Sequence, residues 1–315
     1  MKCFELTKRP LHYATVIPIL AICANSNVLA CTKITQPTYD ETSYYSGLNG
    51  LSGESLRSAL NDKINVHQYY SYSPCTWVIL EEADEDPNDS SAVVGFYTRR
   101  SIPKADRDQG GNTPDYWNRE HIWPKSHGFS SKNQYAHNDT HHLRASDKSV
   151  NADRGNLDFA EGGSPHYECS ECSSTGSTWE PPDEVKGDTA RMMFYMDVRY
   201  DGGDSSSVGD LELVDGLTST GQLTMGVLCD LMAWHIDDPV SLAEQQRNDI
   251  IYSWQGNRNP FIDHPEYAVS IWGPTCGISL PTEPTEEKIP TPFWAYFSIA
   301  SGILAIATLA RRLRR

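Results

Sequence analysis

The sequence predicts a mixed α+β domain, and three observations carry that prediction. Leu56, Leu60 and Ile64 recur at helical spacing behind the glycines Gly47, Gly50 and Gly53, which predicts an amphipathic helix over residues 54–66. Runs rich in β-branched and aromatic residues at 76–80 and 92–98 predict two short strands on either side of an acidic loop, 81–89. The last third of the chain then turns helical again. Trp179-Glu180-Pro181-Pro182-Asp183 opens a helix over 184–200, with proline where a missing N–H does least harm. A Gly/Ser/Asp run at 201–210 is a loop. Val227, Leu228, Leu231 and Trp234 mark a further helix, and Asp238-Pro239 begins another that stops at Gly256, a residue suited to a left-handed cap.

The ends of the chain read differently from its middle. Lys2, Lys8 and Arg9 precede an apolar run from Ala14 to Ala24 and then Val28-Leu29-Ala30, the layout of a secretory signal over residues 1–30. Cys31 follows at once, so a lipoprotein-type acylation of its thiol is a second reading of the same box. One globular domain over 31–278 is expected next, closed by Cys276. Residues 279–291 are rich in Pro, Thr and Glu and read as an extended tether. Residues 292–310 are predicted to form a membrane-spanning helix: from Phe293 to Ala310 there is no charge, and the arginine-rich tail 311–315 reads as its cytoplasmic flank. The expected topology is an exported domain, extracellular or periplasmic, anchored by a single C-terminal span.

Composition narrows the function. A net charge of −16 argues against a protein that coats nucleic acid by overall basicity, but it leaves room for a locally basic cleft. Beyond the leader six cysteines remain, Cys31, Cys75, Cys169, Cys172, Cys229 and Cys276, an even number that in an exported chain suggests disulfides without fixing the pairing. Cys169-Ser-Glu-Cys172 could supply half a zinc site, yet no second such pair exists. The acidic loop 81–89 lacks the ligand order of an EF-hand and reads as a solvated turn.

Chemistry concentrates between Trp117 and Asn156. Five of the ten histidines fall there (His121, His127, His137, His141, His142), among six Lys/Arg and four Asp/Glu. Clustered imidazole, a carboxylate, an amide and cations suit hydrolysis of a phosphodiester: a base for water, a hard cation for the phosphate charge, and groups that hold a polyanion. Imidazole supplies the base near neutral pH, and carboxylate and amide oxygens suit Mg²⁺, with Mn²⁺ or Ca²⁺ as substitutes. Trp117 and Trp123 could stack on bases but read better as core, and His127 and His137 as ordinary loop residues.

Arg119-Glu120-His121-Ile122-Trp123-Pro124, Asp139-Thr140-His141-His142-Leu143 and Asn151-Ala152-Asp153-Arg154-Gly155-Asn156 resemble the endonuclease I family of secreted nucleases, within the ββα-metal (His-Me finger) superfamily. Gly47-Leu48-Asn49-Gly50, Glu180-Pro181-Pro182-Asp183 and Gln255-Gly256-Asn257-Arg258-Asn259-Pro260 extend the likeness over about residues 43–276. The resemblance implies a ββα-metal finger at the centre of the α+β domain. It also implies His121 as general base, Glu120 and Asn151 as ligands of one Mg²⁺, and a 5′-phosphate product cut from DNA, RNA or both. Arg154 and Arg119 are candidates for meeting the phosphate charge, and His141 and His142 for supporting the site from behind. Asn151 follows Glu120 by thirty-one positions, room for two strands and the start of a helix. Neighbours on a strand point to opposite faces, so Glu120 and His121 can share a site only at a strand end, a bulge or a bend. Two rival readings remain: a surface nucleic-acid-binding or adhesive protein without catalysis, and a phosphodiesterase of small substrates.

Overall fold

The computed structural model describes residues 31–279 except Asn112 and Asp204. Its organising element is a helix, α5 (Lys186–Arg199), in which every residue from Thr189 to Arg199 is buried. A helix that is covered on all sides belongs in a core, and Met192-Met193-Phe194-Tyr195-Met196 supplies the apolar surface for it. Around α5 pack α1 (Gly53–Ile64) and α6 (Leu228–Asp237). α7 (Leu242–Gln255) starts in a Ser241/Glu244 capping box and ends at Gly256 in the left-handed region, φ +84°. Glu244 serves twice, because its carboxylate also receives Nε and Nη2 of the buried Arg191 at 2.7 and 2.6 Å, tying α7 to α5. The short α8 (Glu266–Trp272) closes this half and is bridged to α6 by the disulfide Cys229–Cys276.

A smaller core lies under the strands. Trp77 and Leu80 of α2 (Cys75–Ala83) meet Val93, Ile102, Trp117, Leu143 and Ala145. β1 (Asp89–Val94) pairs antiparallel with β2 (Ser101–Pro103) and with the two-residue strand Glu85–Asp86, and β3 (Trp117–His121) pairs antiparallel with β4 (Leu143–Asp147). Between these last two lies the single turn α3 (Tyr135–Asn138), and β4 runs straight into α4 (Lys148–Arg154). The domain is thus α+β, with helices beside short, mostly antiparallel strands.

Several expectations are corrected. Residues 76–80 are helical, not a strand. Trp77, Ile79 and Leu80 are buried with Thr76, whose hydroxyl bonds the Tyr72 carbonyl, Pro74 occupies the N-cap position, and Glu81 and Glu82 lie on the same helix. Packing of one face has overridden β-branched propensity. The second strand ends at Val94, where Gly95 turns the chain; a Cβ there would sit 2.9 Å from the Thr98 hydroxyl. The acidic loop is not fully solvated either: Asp84 is buried against Arg247 at 2.8 Å and Arg144 at 3.0 Å. Cys31 is bridged to Cys75 and Cys169 to Cys172, so the first thiol is not free for acylation and the second pair is not half a zinc site. Trp117 and Trp123 are both fully buried core residues. Among the described residues no helix is long and apolar enough to cross a membrane; the proposed leader, tether and span at 1–30, 280–291 and 292–310 lie outside them.

Candidate active site

β3 pairs with β4 in unbroken register from Trp117↔Asp147 to His121↔Leu143. Glu120 and His121 therefore leave on opposite faces of a regular ladder; of the three ways they could share a site, a strand end, a bulge or a bend, the unbroken register leaves the strand end. They nevertheless line one pocket of ≈ 240 Å³, together with Asn118, Arg119, Lys125 and Asn151. The reason is position. His121 is the last residue of β3, and among the described residues nothing pairs with the other edge of β3 beyond the isolated Arg107↔Trp117 bridge. A pocket at the end of an open edge is reached by side chains from both faces.

One face carries side-chain oxygens. Asp147 caps α4 by accepting from the Ser149 N–H at 3.2 Å, which sets the helix against β3. Asn151 on α4 donates Nδ2 to Oδ1 of Asn118 at 2.7 Å, leaving its own Oδ1 without a recorded partner. Glu120 is 2% exposed and receives the Tyr97 hydroxyl at 2.8 Å and Nη1 of Arg154 at 3.0 Å, both on Oε1, so Oε2 is uncommitted. Burial pushes the Glu120 carboxyl up, while Arg154 and the Tyr97 hydroxyl pull it back. Arg154 itself is 0% exposed and is not in the pocket wall; its other bonds go to the carbonyls of His121 and Ile122, at 3.0 and 2.8 Å. The sequence offers Arg154, beside Arg119, as a candidate for meeting the phosphate charge. The structure places it behind Glu120, where it clips residues 120–122 to the end of α4.

The other face carries the imidazole. Nε2 of His121 lies 3.0 Å from the carbonyl oxygen of His137, an acceptor only, so Nε2 carries the proton and Nδ1 keeps the lone pair. Burial, then the rings of His142 and His137, hold His121 well below the usual histidine range, which keeps it neutral. The Tyr72 ring stacks over it at 5.7 Å. Arg119, on the same face, has its guanidinium 3.5 Å from the Tyr72 ring and 3.9 Å from that of Trp77, and bonds the Tyr72 carbonyl and the Thr76 hydroxyl. Burial lowers it to about 10. Arg119 is thus built into the pocket wall.

The segment that presents the His137 carbonyl is held from below. Asp139 is fully buried and accepts from the hydroxyls of Tyr195 and Tyr200 at 2.7 and 2.8 Å and from Gln255 at 2.9 Å, which ties it to α5, the residue after it, and α7. Burial opposes ionisation of Asp139, but the imidazoles of His67, His141 and His142 and these bonds hold it low. His142 donates to the Ala136 carbonyl at 2.7 Å and its ring lies 5.6 Å from that of His121, so it backs the site. His141 turns instead to the Asn257 carbonyl and the Tyr195 ring, away from the pocket. Three contributors escaped the sequence reading: Tyr97, Asn118 and His137. Asn118 had a signal, since it lies two residues before Glu120 and so on its face of the strand. Tyr97 comes from a distant turn, and His137 acts through its backbone, which no side-chain pattern reveals.

Among the described residues no three His, Cys, Asp or Glu side chains converge on a metal site. The donor set that does face the pocket, one carboxylate oxygen and one amide oxygen, fits a hard ion that retains most of its water, as Mg²⁺ does.

The Endonuclease I family profile matches residues 52–266. An extracellular ribonuclease of Bacillus amyloliquefaciens is 47% identical over 242 residues, covering 76% of this chain and 82% of that protein. An extracellular ribonuclease of Bacillus subtilis (strain 168) is 44% identical over 247 residues, covering 78% and 84%. A match over most of the folded domain, at such identity and with the pocket residues inside it, means that the chain belongs to the endonuclease I family, whose members hydrolyse nucleic acid.

Proposed function

We propose that the pocket at the end of β3 is the hydrolytic centre of a metal-dependent endonuclease of low sequence preference, with RNA and DNA as substrates. The observation that carries the reading is the His121–His137 bond: it fixes the tautomer in which Nδ1 accepts a proton. In this reading Nδ1 takes the proton of a water whose oxygen forms the new bond to phosphorus. The P–O3′ bond breaks, the 5′-phosphate stays on one fragment, and the departing 3′ oxygen takes a proton from solvent. Glu120 Oε2 and Asn151 Oδ1 hold the divalent ion, Mg²⁺ in this proposal, with Mn²⁺ or Ca²⁺ as substitutes. When bound, the ion supplies positive charge for the phosphate and leaving oxygens. Arg154 and Tyr97 aim Glu120 and oppose the rise that burial imposes on its carboxyl, and Arg119 holds the Tyr72–Trp77 wall. We read β3, β4 and α4 as the ββα-metal finger. Chelation with EDTA is expected to abolish cutting of RNA and of supercoiled plasmid, and Mg²⁺ to restore it; undiminished cutting in chelator sinks the metal assignment. Both relatives are extracellular ribonucleases, which supports RNA as a substrate of this chain.

The three disulfides suit an oxidising compartment, and with the extracellular relatives they support export. The leader at 1–30, the domain at 31–278, the tether and the span at 292–310 complete the proposal, with the enzyme held at the outer face of the membrane. Alkaline carbonate should leave the full-length protein in the membrane pellet. Its release intact would exclude the span.

A further inference from the structure

With 42 Asp and Glu against 26 Lys and Arg, a cation on this surface has carboxylates to choose from. Of the seven described lysines four have chosen one: Lys33, Lys104, Lys148 and Lys186 are each paired. Among the described residues Lys125 and Lys132 have none; Lys125 lines the pocket, and Lys132 reaches over the Tyr72 ring at its edge. The other described lysine without a carboxylate is Lys63, in the last turn of α1, where a cation suits the helix end. Lys125 is exposed, lines the pocket beside His121, and is near enough to His121 and His137 to oppose their protonation. Lys132 has its ammonium 5.5 Å from the Tyr72 ring, over the pocket's aromatic wall.

Their backbones, in contrast, are fixed. The Lys125 carbonyl accepts from the Phe129 N–H at 3.1 Å, in a turn sealed by the buried Trp123, whose indole donates to the His127 carbonyl at 2.9 Å. The Lys132 carbonyl accepts from the Tyr69 hydroxyl at 2.9 Å and from Asn138 at 2.8 Å. A free ammonium on a pinned backbone is a prepared anion site whose counterion is not among the described residues. The two arginines nearest the chemistry are already committed, Arg154 to Glu120 and Arg119 to the Tyr72 carbonyl.

We propose that Lys125 grips the phosphate being cleaved and Lys132 a neighbouring one, so that the nucleic-acid strand crosses the Tyr72 wall between them. The inference rests on the pocket being the hydrolytic centre, and its test separates the two. Full-length protein carrying Lys125→Met, Lys125→Arg or Lys132→Met is compared with wild type for kcat and KM on RNA. Binding of a labelled single-stranded 20-mer RNA is measured in Ca²⁺ over a salt series, each lysine variant being combined with His121→Ala. Lys125→Met should lower kcat/KM by about tenfold to a hundredfold, the loss of one charge-assisted contact. It should also reduce the slope of log Kd on log salt by about 0.7, one phosphate on a single strand. Lys125→Arg should keep most of both. Lys132→Met should raise KM with kcat unchanged and reduce the slope likewise. A folded Lys125→Met with wild-type kcat/KM and salt slope overturns the inference while leaving the pocket reading intact. If His121→Ala cuts as fast as wild type, the pocket reading fails instead and the lysine assignment falls with it.

Discussion

Replacement of His121 by alanine should lower the rate of RNA cleavage by about 10² to 10⁴, the usual worth of a general base. Nδ1 of His121 is poised because Nε2 is tied to the His137 carbonyl, and three neighbouring imidazoles are turned elsewhere: His142 donates to Ala136, His141 to Asn257 and His127 lies against the Thr224 carbonyl. The His137 ring is nearer, 4.7 Å from that of His121, and packs edge-on against Tyr72. Single-turnover rates at saturating RNA and fixed Mg²⁺ give the measurement, with circular dichroism to show that the variant is folded. His121→Asn, which retains a donor for the His137 carbonyl, should lose as much activity as alanine while keeping more stability. Retention of more than about a tenth of the wild-type rate by both variants would remove His121 from the mechanism, since a base contributes at least tenfold more than that.

Removal of Arg154 should cost stability before it costs anything else. Its guanidinium and the Glu120 carboxylate are 3.0 Å apart and both side chains are almost wholly buried. Breaking one side of such a pair leaves a buried charge uncompensated, at about 3–5 kcal/mol. For a domain of this size that lowers Tm by about 10 °C. The carbonyls of His121 and Ile122 lose their donor at the same time, which adds to the loss. Arg154→Met measured by thermal unfolding in EDTA, so that metal binding does not mask the change, is the direct test. The double variant Glu120→Gln/Arg154→Met should recover about half or more of the lost stability, because no charge is then stranded, and should remain inactive for want of the ligand. A single variant within about 1 kcal/mol of wild type would show that Glu120 is protonated or hydrated in the folded protein, and that Arg154 does not position it.

The sequence was sufficient for the class of fold, for most of the helices and for the stretch where the chemistry lies. Those are local properties: apolar spacing at Leu56, Leu60 and Ile64, a proline-led start before α5 and a glycine stop after α7 are each written within a few residues. It was insufficient where packing competes with propensity. The β-branched run at 76–80 became α2 because one helical face could bury Trp77 and Leu80 against β3 and β4, a choice made by partners far away in the chain. The candidate site divides in the same way. Glu120, His121 and Asn151 are legible as chemistry, but alternation on a strand says that the first two should part. Only the tertiary structure shows that β3 ends at His121 with an open edge, so that one pocket receives both faces. The division of labour among the cations was likewise beyond the sequence. Arg154, Arg119 and Lys125 are all basic residues near a motif, and what separates them is where each charge finds its partner: a buried carboxylate, a backbone carbonyl between two rings, or none. Partnership is a property of three-dimensional neighbours, and a buried ion pair, a stacked wall and a free ammonium differ in energy only once water has been excluded from the first two.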